Sequence, residues 1–390
     1  MTELKVDAIV NLAGSGKPNL PVAPTVGSNA AISTLNTHSY TSSGTEPSSP
    51  KNGALWWDSA NDKVKVYIDS EFKEVELNYS AASAVYYGDR AHWAGGGRNH
   101  PSPGGYTNAI DYWNITSLGN AADFGDISAT AFLMDAASDG TYIYNLGSGA
   151  TSTAIDYWAS ATLGNASDFG DTASTSAGYV SAAASNGSKC LYHIDHSGSA
   201  YSTDIIEQFP TGTAGITATD FDNLTVTRWL LTPVNSDTRC VFMGGQNVSY
   251  VIQNVLDYVD FANAGNATDF GDLTSSRYQG AGAGSNSTAR GLYLGGYVSP
   301  NGVNNIDYIT VDTPGNGTDH GDLTSIAYGN RACANTSRVC NAGGTGHTSP
   351  ASTRTNVIDY TALMTAGNAA DFGDLTEQKY IGGSASGAAS

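Results

Sequence analysis

Pairs of aspartates recur along this chain within stretches of the type Asn-Ala-x-Asp-Phe-Gly-Asp, of which residues 266–272 are the clearest copy. Hard cations such as Ca²⁺ bind several oxygen ligands, so two carboxylates three residues apart can contribute to a cation site. A structural role explains them better, because Asp hydrogen-bonds its own backbone in tight turns and Gly adopts positive φ there. We therefore predict turns without a metal or cofactor, with the Phe filling the gap between neighbouring units. The pairs are Asp123/Asp126, Asp168/Asp171, Asp269/Asp272, Asp319/Asp322 and Asp371/Asp374.

The segment His193-Ile194-Asp195-His196 combines residue types that bind metals. On a strand, His193 and Asp195 share one face and His196 points to the other, which disfavours a site with three ligands. The chain also has no Gly-x-Ser-x-Gly, no His-Glu-x-x-His and no phosphate-binding loop. Aspartates are so numerous that no pair stands out for glycoside hydrolysis. The sequence thus predicts no catalytic residue and a protein that is not an enzyme.

Aromatic and amide side chains in the loops that differ between repeats are better candidates for binding. Sugar rings stack on aromatic faces while amides hydrogen-bond their hydroxyls, and loops on a rigid scaffold commonly carry function. Ordinary solvated turns remain the alternative for these loops. The candidate ligand-binding residues are His100, Tyr106, Tyr201, Tyr297 and Asn301.

A repeat of about 50 residues must position these loops. A motif of the type hydrophobe-Asp-Tyr places its acidic residue at 111, 156, 257, 307 and 359, and Glu207 takes that place in a divergent copy. An apolar segment ending in Gly-Gly precedes most copies, so each unit contains four short strands. A period near 50 is typical of kelch repeats. The sequence predicts an all-β fold, in which residues 79–390 form a six-bladed kelch-like β-propeller.

The ends of the repeat region predict closure of the propeller. The last copy stops after a first strand near Tyr380, whereas the first copy begins with a second strand near Arg90. The two ends can complete one blade, which would remove the open edges that promote aggregation.

Composition excludes several classes of protein. The chain has 46 glycines, 14% charged residues and a net charge of −19, without the basic cluster that nucleic-acid binding requires. No apolar run reaches the ~18 residues of a membrane span, and Met1–Gly14 lacks the basic start of a signal peptide. We expect synthesis in a cytoplasm without secretion. The four cysteines are expected to be free thiols, although a bridge between Cys333 and Cys340 stays open.

The residues before the repeats fall into two parts. Residues 1–43 are predicted to be an extended arm that cannot bury a core alone. Residues 44–78 alternate polar and apolar side chains over three short strands, which predicts a small β-hairpin module. Its aromatic residues are Trp56, Trp57, Tyr67 and Phe72.

Two stretches resemble proteins of phage particles. The segment Pro50–Asp58, continued by Lys65–Ile68 and Phe72–Val75, is similar to a short module near the N-termini of phage tail-fibre and other tail proteins. The Ile-Asp-Tyr and Asn-Ala-x-Asp-Phe-Gly-Asp repeats resemble those of virion structural proteins of marine phages, especially cyanophages. The resemblance covers about residues 44–383 and carries over no catalytic residue.

The resemblance implies a virion protein held in the particle through residues 1–78, where Trp56, Trp57, Tyr67 and Phe72 would contact other virion proteins. The propeller would face the host and attach to a surface glycan or protein receptor, as a tail fibre does. A homo-oligomer is expected, with a trimer favoured. Two alternatives stay open: a purely structural tail or capsid decoration protein, and a depolymerase of surface polysaccharide.

Overall fold

The computed structural model describes residues 25–26, 30–31, 41–43, 45–50, 54–58, 63–68, 70–74, 87–98, 105–147, 153–174, 179–195, 202–285, 289–348 and 351–389. Over these ranges every helix or strand assigned is a β-strand, which confirms the all-β prediction. The same ranges contain no helix long and apolar enough to cross a membrane. The chain divides into two compact units, Met1–Ser80 and Ala81–Ser390.

The first unit contains a small sheet with an aromatic centre. Trp56 is buried in it, and the ring of Phe72 lies 5.1 Å from the rings of both Trp56 and Tyr67. The predicted strands are joined by an additional one, Thr41–Ser43, which pairs in parallel with Leu55–Asp58. A separate two-stranded ribbon contains β1 (Thr25–Val26) and β2 (Ala30–Ala31). The sheet has the order β3 (Thr41–Ser43), β4 (Leu55–Asp58), β5 (Lys63–Ile68) and β6 (Glu71–Glu74).

The second unit contains six sheets, each built on four antiparallel strands that are ordered from a first strand to an outer strand. In sheets 2 to 6 these four strands follow one another in sequence, whereas the first strand of sheet 1 comes from the C-terminal end of the chain. Sheet 1 contains β39 (Gly383–Gly387), β7 (Arg90–Ala94), β10 (Ala109–Asn114) and β11 (Ala122–Asp126). Sheet 2 contains β12 (Asp135–Ser138), β13 (Tyr142–Leu146), β14 (Ala154–Ala159), β15 (Ser167–Asp171) and an added β19 (Ile216–Thr217). Sheet 3 contains β16 (Val180–Ser185), β17 (Lys189–Ile194), β18 (Thr203–Pro210), β20 (Thr219–Trp229) and an added β23 (Gln246–Asn247).

The other three sheets have the same four-stranded order. Sheet 4 contains β21 (Thr232–Asn235), β22 (Arg239–Met243), β24 (Val255–Asp260) and β25 (Thr268–Asp272). Sheet 5 contains β26 (Ala281–Ser285), β27 (Arg290–Leu294), β30 (Asn305–Thr310) and β31 (Thr318–Asp322). Sheet 6 contains β32 (Arg331–Ala334), β33 (Arg338–Ala342), β36 (Val357–Ala362) and β37 (Ala370–Asp374).

Short ribbons extend the loops between second and third strands. One ribbon joins β38 (Lys379–Tyr380), β8 (Gly97–Arg98) and β9 (Gly105–Tyr106). The others pair β28 (Tyr297–Val298) with β29 (Asn301–Gly302), and β34 (Thr345–Thr348) with β35 (Ala351–Arg354).

Sheet 1 is completed by the C-terminal end of the repeat region. Strand β39 pairs antiparallel with β7, with Ser384 opposite Trp93. This confirms that the last repeat supplies the missing first strand of the first one. The strand starts at Gly383, a few residues later than the sequence motif around Tyr380 indicated, because Lys379–Tyr380 pairs with β8 instead.

The apolar core lies between the sheets. Six clusters of buried side chains each combine residues of two successive sheets, and the last of them joins sheet 6 to sheet 1, as in the packing of Cys340 and Phe372 with Trp93 and Trp113. The first strands also contact one another in succession, and β32 contacts β39. Burial of these faces supplies the main stabilisation of the second unit.

The Asp-Phe-Gly-Asp stretches are outer strands, so their prediction as turns was wrong. Phe270 is buried beneath β25, while the backbone of Gly271 lies against sheet 5. A Cβ atom at Gly271 would stand 2.5 Å from the carbonyl oxygen of Gly315, and φ there is 145°. The recurring Gly therefore permits the turn of one sheet to approach the edge of another.

The cysteines are buried free thiols, as the sequence favoured. Cys333 and Cys340 stand opposite each other on β32 and β33 without a disulfide. Burial raises the pKa of Cys340 to about 12, which keeps this thiol protonated at neutral pH.

Candidate functional site

The recurring Asp of each third strand receives hydrogen bonds from the preceding sheet. In sheet 5, the Asp307 carboxylate accepts bonds from the Thr274 backbone N–H at 2.9 Å and the Thr274 hydroxyl at 2.8 Å, and the Arg277 guanidinium lies 2.6 Å away. Thr274 and Arg277 follow the outer strand of sheet 4. We call this arrangement the carboxylate latch, and it satisfies a buried anion as burial requires.

Latches occur at all six junctions between sheets. Their partners are Thr376 to Asp111, Ser128 to Asp156, Ala173 and Ser174 to Glu207, Thr225 to Asp257, Thr274 to Asp307 and Thr324 to Asp359. The divergent Glu207 thus keeps the contact, with Tyr192 as an added donor. These contacts give the recurring Asp a structural role.

Three latches also contain a buried cation and three do not. Lys379, Arg228 and Arg277 lie 2.6–2.8 Å from the carboxylates of Asp111, Asp257 and Asp307, respectively. Asp156 and Asp359 receive only neutral donors, and burial raises the pKa of both carboxyls. The same position is therefore either an ion pair or a carboxylate with neutral donors alone.

The connections from each outer strand to the next first strand meet in a chain of hydrogen bonds. Five of the six connections lead to a residue whose N–H donates to the connection before it, and four of these five residues have positive φ between 49° and 64°. The bonds run from Val180 to Leu133 (3.1 Å), Leu133 to Ile381 (2.9 Å), Ile381 to Gly329 (2.6 Å), Gly329 to Gln279 (2.7 Å) and Gln279 to Leu230 (3.0 Å).

Asp195 completes this chain of bonds where the repeat is irregular. Its Oδ1 accepts from the Leu230 N–H at 3.1 Å, and its own N–H donates to Tyr179 O at 2.9 Å. His193 is buried beside it, with Nδ1 3.2 Å from Asp195 Oδ1 and Nε2 3.1 Å from Thr203 O. His196 lies outside the described residues. Among those described, no group of three metal-binding side chains exists, and His193 and Asp195 have structural partners.

An aromatic residue precedes each member of the hydrogen-bonded chain. These residues are Phe132, Tyr179, Trp229, Tyr278, Tyr328 and Tyr380, and all six are half-buried. Neighbouring strands are antiparallel, so these connections lie at the same end of the sheets as the loops between second and third strands. We call this end the aromatic face, and the opposite end the turn face.

Two groups of packed aromatic side chains lie on the aromatic face, one edge to face and the other stacked. Tyr297 lies between Tyr278 and Tyr328, with ring centroids 5.4 and 5.2 Å apart. Tyr106 stacks on Phe132 at 4.2 Å with an interplanar angle of 2°, and its ring is 36% exposed. The groups combine flat apolar surface with phenol hydroxyls, which is the surface that sugar rings need.

Close packing between the connections and the loops positions these aromatic side chains. Tyr380 pairs with Gly97, and Gly97 pairs with Tyr106. A Cβ at Gly97 would stand 2.1 Å from the Tyr380 ring, so Gly is required for this ring to lie over the strand. Arg354 covers Tyr380 at 3.9 Å. Burial raises the pKa values of Tyr278 and Tyr328, so both phenols stay protonated and can donate hydrogen bonds.

Three of the predicted ligand-binding residues can be placed. Tyr106 and Tyr297 belong to the two groups of packed aromatic side chains, and Asn301 is exposed on the ribbon beside Tyr297. His100 and Tyr201 lie outside the described residues. In the first unit Trp56 is buried within its own sheet, Tyr67 and Phe72 are half-buried, and only the backbone of Trp57 is described.

Sequence analysis missed the six aromatic residues of the connections. Their signal was present, because an aromatic residue follows the second Asp of the motif by six positions at Phe132, Tyr278, Tyr328 and Tyr380. The sequence pattern favours a first strand for this stretch. Side chains of a strand alternate between its two faces, so they are not expected to meet at one end of the sheets.

Two other features are poor candidates for the site, because one is a small cavity and the other is a buried side chain. A cavity of about 80 Å³ is lined by all six first strands, with Ala136, Ala183, Val234, Ala283, Cys333 and Ala385 in its wall. Its volume suits water rather than an organic ligand. His92 is buried, accepts a bond from Trp158 Nε1 at 3.2 Å and faces Ser160 Oγ at 3.0 Å; burial, with Arg90 nearby, lowers its pKa to about 3.

Comparison with known proteins adds no further assignment. No protein-family model matches the chain, and no curated protein is similar to it in sequence.

Proposed function

We propose that residues 81–390 form a closed six-bladed β-propeller whose aromatic face attaches a phage particle to a glycan on the host surface. The observation that carries the proposal is the gathering of Tyr106, Phe132, Tyr278, Tyr297 and Tyr328 at one end of the sheets. The virion assignment rests on the resemblance of the N-terminal module and the repeats to phage proteins.

Closure is supported by contacts that include the junction between sheet 6 and sheet 1. At that junction Thr376 and Lys379 bond Asp111, and Trp93 packs with residues of sheet 6. The hydrogen-bonded connections also pass through Ile381 and Leu133 without a gap. A cycle of this kind leaves few free sheet edges.

The chemistry of the aromatic face favours a neutral glycan. Its described charges have partners within the protein: Arg98 lies 3.8 Å from Glu377, and the Arg354 guanidinium lies over the Tyr380 ring. Stacking surfaces with phenol and amide groups bind sugar C–H faces and hydroxyls without a net charge. Each contact would be shallow, so copies displayed on one particle would raise the overall avidity, by about 10²–10⁴ for linked sites.

A glycan array probed with the full chain tests this function. We expect binding to neutral oligosaccharides and no cleavage of them. Failure to bind any glycan or host envelope preparation would contradict the adhesion proposal and favour the structural alternative. Release of new reducing ends from host polysaccharide would support the depolymerase instead.

A further inference from the structure

A cleft of about 550 Å³ opens on the turn face, between sheets 3 and 4. Its wall includes Asn186, Lys189, Asp237, Asp260 and Asn263. It lies at the end of the sheets opposite the aromatic face, so it is distinct from the site proposed above. Small-molecule sites commonly have volumes of about 300–1,000 Å³, and this cleft falls within that range.

The cleft lies where a repeated arginine is replaced by a lysine. Four second strands begin with Arg90, Arg239, Arg290 and Arg338, and each guanidinium covers the Tyr of the third strand. Each also donates to a carbonyl of the next sheet. Lys189 makes the equivalent bond, to Phe261 O at 2.9 Å, with a single nitrogen. The smaller head group leaves space unfilled and retains N–H donors for another acceptor.

Asp237 supplies a carboxylate that its own turn does not use. In the equivalent turns, Asp139, Asn186 and Asn335 accept bonds from backbone amides through their side chains. Ser236 holds the equivalent position in sheet 4, where its hydroxyl accepts the amides of Thr238 and Arg239. Asp237 is the next residue of the turn and takes no part in this bonding pattern. Asp237 Oδ1 is buried and has no hydrogen-bond partner within the described part of the chain. An acceptor left unpaired is unfavourable, so a donor supplied by a ligand to this carboxylate would be favourable.

We propose that this cleft binds a neutral polyhydroxylated ligand, the size of one or two hexose units. One hydroxyl would donate to the Asp237 carboxylate, and another would accept from Lys189 Nζ. Asp260 is engaged by Arg239 at 3.4 Å, so the two remaining charges in the wall balance. That balance favours a neutral ligand over a free anion or cation.

The test compares amide hydrogen exchange of the full chain with and without each probe. The probes are glucose, galactose, mannose and N-acetylglucosamine, together with inorganic phosphate and methylammonium as charged counterparts. We expect at least one hexose to slow exchange at residues 186–189 and 236–239. Lys189→Arg introduces the arginine that four other sheets have at this position. Its larger guanidinium should fill the cleft, so the hexose should no longer slow amide exchange. Asp237→Asn removes the acceptor charge and should weaken the slowing.

Tyr297→Ala is the matched control, because it alters only the aromatic face and should leave the slowing at 186–189 intact. The proposal is overturned if no hexose slows exchange there, if a charged probe does so in place of the hexoses, or if the Lys189→Arg chain keeps the full effect. Loss of the effect in Tyr297→Ala as well would also overturn it, since that would place binding at the other face.

Discussion

The carboxylate latches and the aromatic face repeat with the same period, yet they tolerate different degrees of change. Every latch keeps a carboxylate, and each receives bonds from the preceding sheet. The aromatic positions instead vary among Phe, Tyr and Trp, and the ribbons beside them differ in length. Removing the partner of a buried polar group lowers the free energy of unfolding considerably, whereas one half-buried aromatic ring can replace another at little cost. The comparison indicates that the latches are structural, and it agrees with the proposal that binding resides in the aromatic face.

The largest expected effect is removal of a buried latch cation. Arg277→Met leaves the Asp307 carboxylate buried without its cation, which should lower the free energy of unfolding by about 3–5 kcal/mol. Chemical denaturation of the full chain measures this loss. Arg290→Met is the control, since Arg290 lies over Tyr308 nearer the surface and should cost only about 0.5–1 kcal/mol. Equal losses of unfolding free energy in the two variants would contradict the claim that the latch cation contributes more to stability than an arginine nearer the surface.

A slightly smaller effect is expected where one sheet approaches the edge of another. Gly271→Ala places a Cβ 2.5 Å from Gly315 O at positive φ, which should cost about 1–3 kcal/mol. Gly265→Ala is matched to it, because nothing lies within 4 Å of a Cβ there. Thermal unfolding of both variants compares them, and a Gly271→Ala chain as stable as Gly265→Ala would contradict the packing described.

The latch carboxylates without cations should respond to pH in the opposite way to an ordinary salt bridge. Burial raises the folded-state pKa of Asp156 and Asp359 above the unfolded value, so the stability contributed by the protonated form is full below the unfolded pKa. It is lost as the pH rises through the folded pKa. We therefore expect Asp156→Asn to be nearly neutral at pH 7 and relatively more costly at acid pH.

Asp307→Asn is the matched comparison for this pH series. It deprives Arg277 of its anion, so it should cost about 1.5–3 kcal/mol at pH 7. Unfolding measured across the acid-to-neutral range distinguishes the two classes of latch. A larger loss at pH 7 for Asp156→Asn than for Asp307→Asn would reverse the assignment.

The smallest effect on stability is expected at the aromatic face. Tyr297 is half-buried between two other rings, so Tyr297→Ala should cost about 1 kcal/mol of stability. Tyr297→Phe keeps the ring contacts and should lose less stability than Tyr297→Ala. An unfolding loss for Tyr297→Ala as large as that for Arg277→Met would show that this face is part of the core rather than a surface for binding.

The repeated features were the predictable part of this molecule. The period of Asp111, Asp156, Asp257, Asp307 and Asp359 indicated the third strands, and the incomplete terminal copies indicated the shared sheet 1. Strand alternation follows from local side-chain pattern, which a sequence shows directly.

The contacts between repeats were the part that sequence did not show. Gly271 suggested a turn because positive φ is common in turns, but the approach of Gly315 is what requires it. Asp195 has a residue type that binds metals, in a spacing that disfavours a metal site, and its actual partner Leu230 lies 35 residues further along the chain, between β20 and β21. Ser236 takes the backbone-binding position of Asn186 and Asn335, and only the folded turn shows that the neighbouring Asp237 has an unpaired carboxylate oxygen. Such roles depend on residues distant in sequence.

The most direct test of the account is calorimetric titration of a neutral oligosaccharide selected on the glycan array. The wild-type chain is compared with a Tyr297→Ala/Tyr328→Ala double variant, and unfolding of both is measured in the same buffer. We expect affinity to fall at least about tenfold, equal to ~1.4 kcal/mol, while the variant remains cooperatively folded. Unchanged affinity, or a loss seen only where the variant is unfolded, would contradict the claim that the aromatic face binds the glycan.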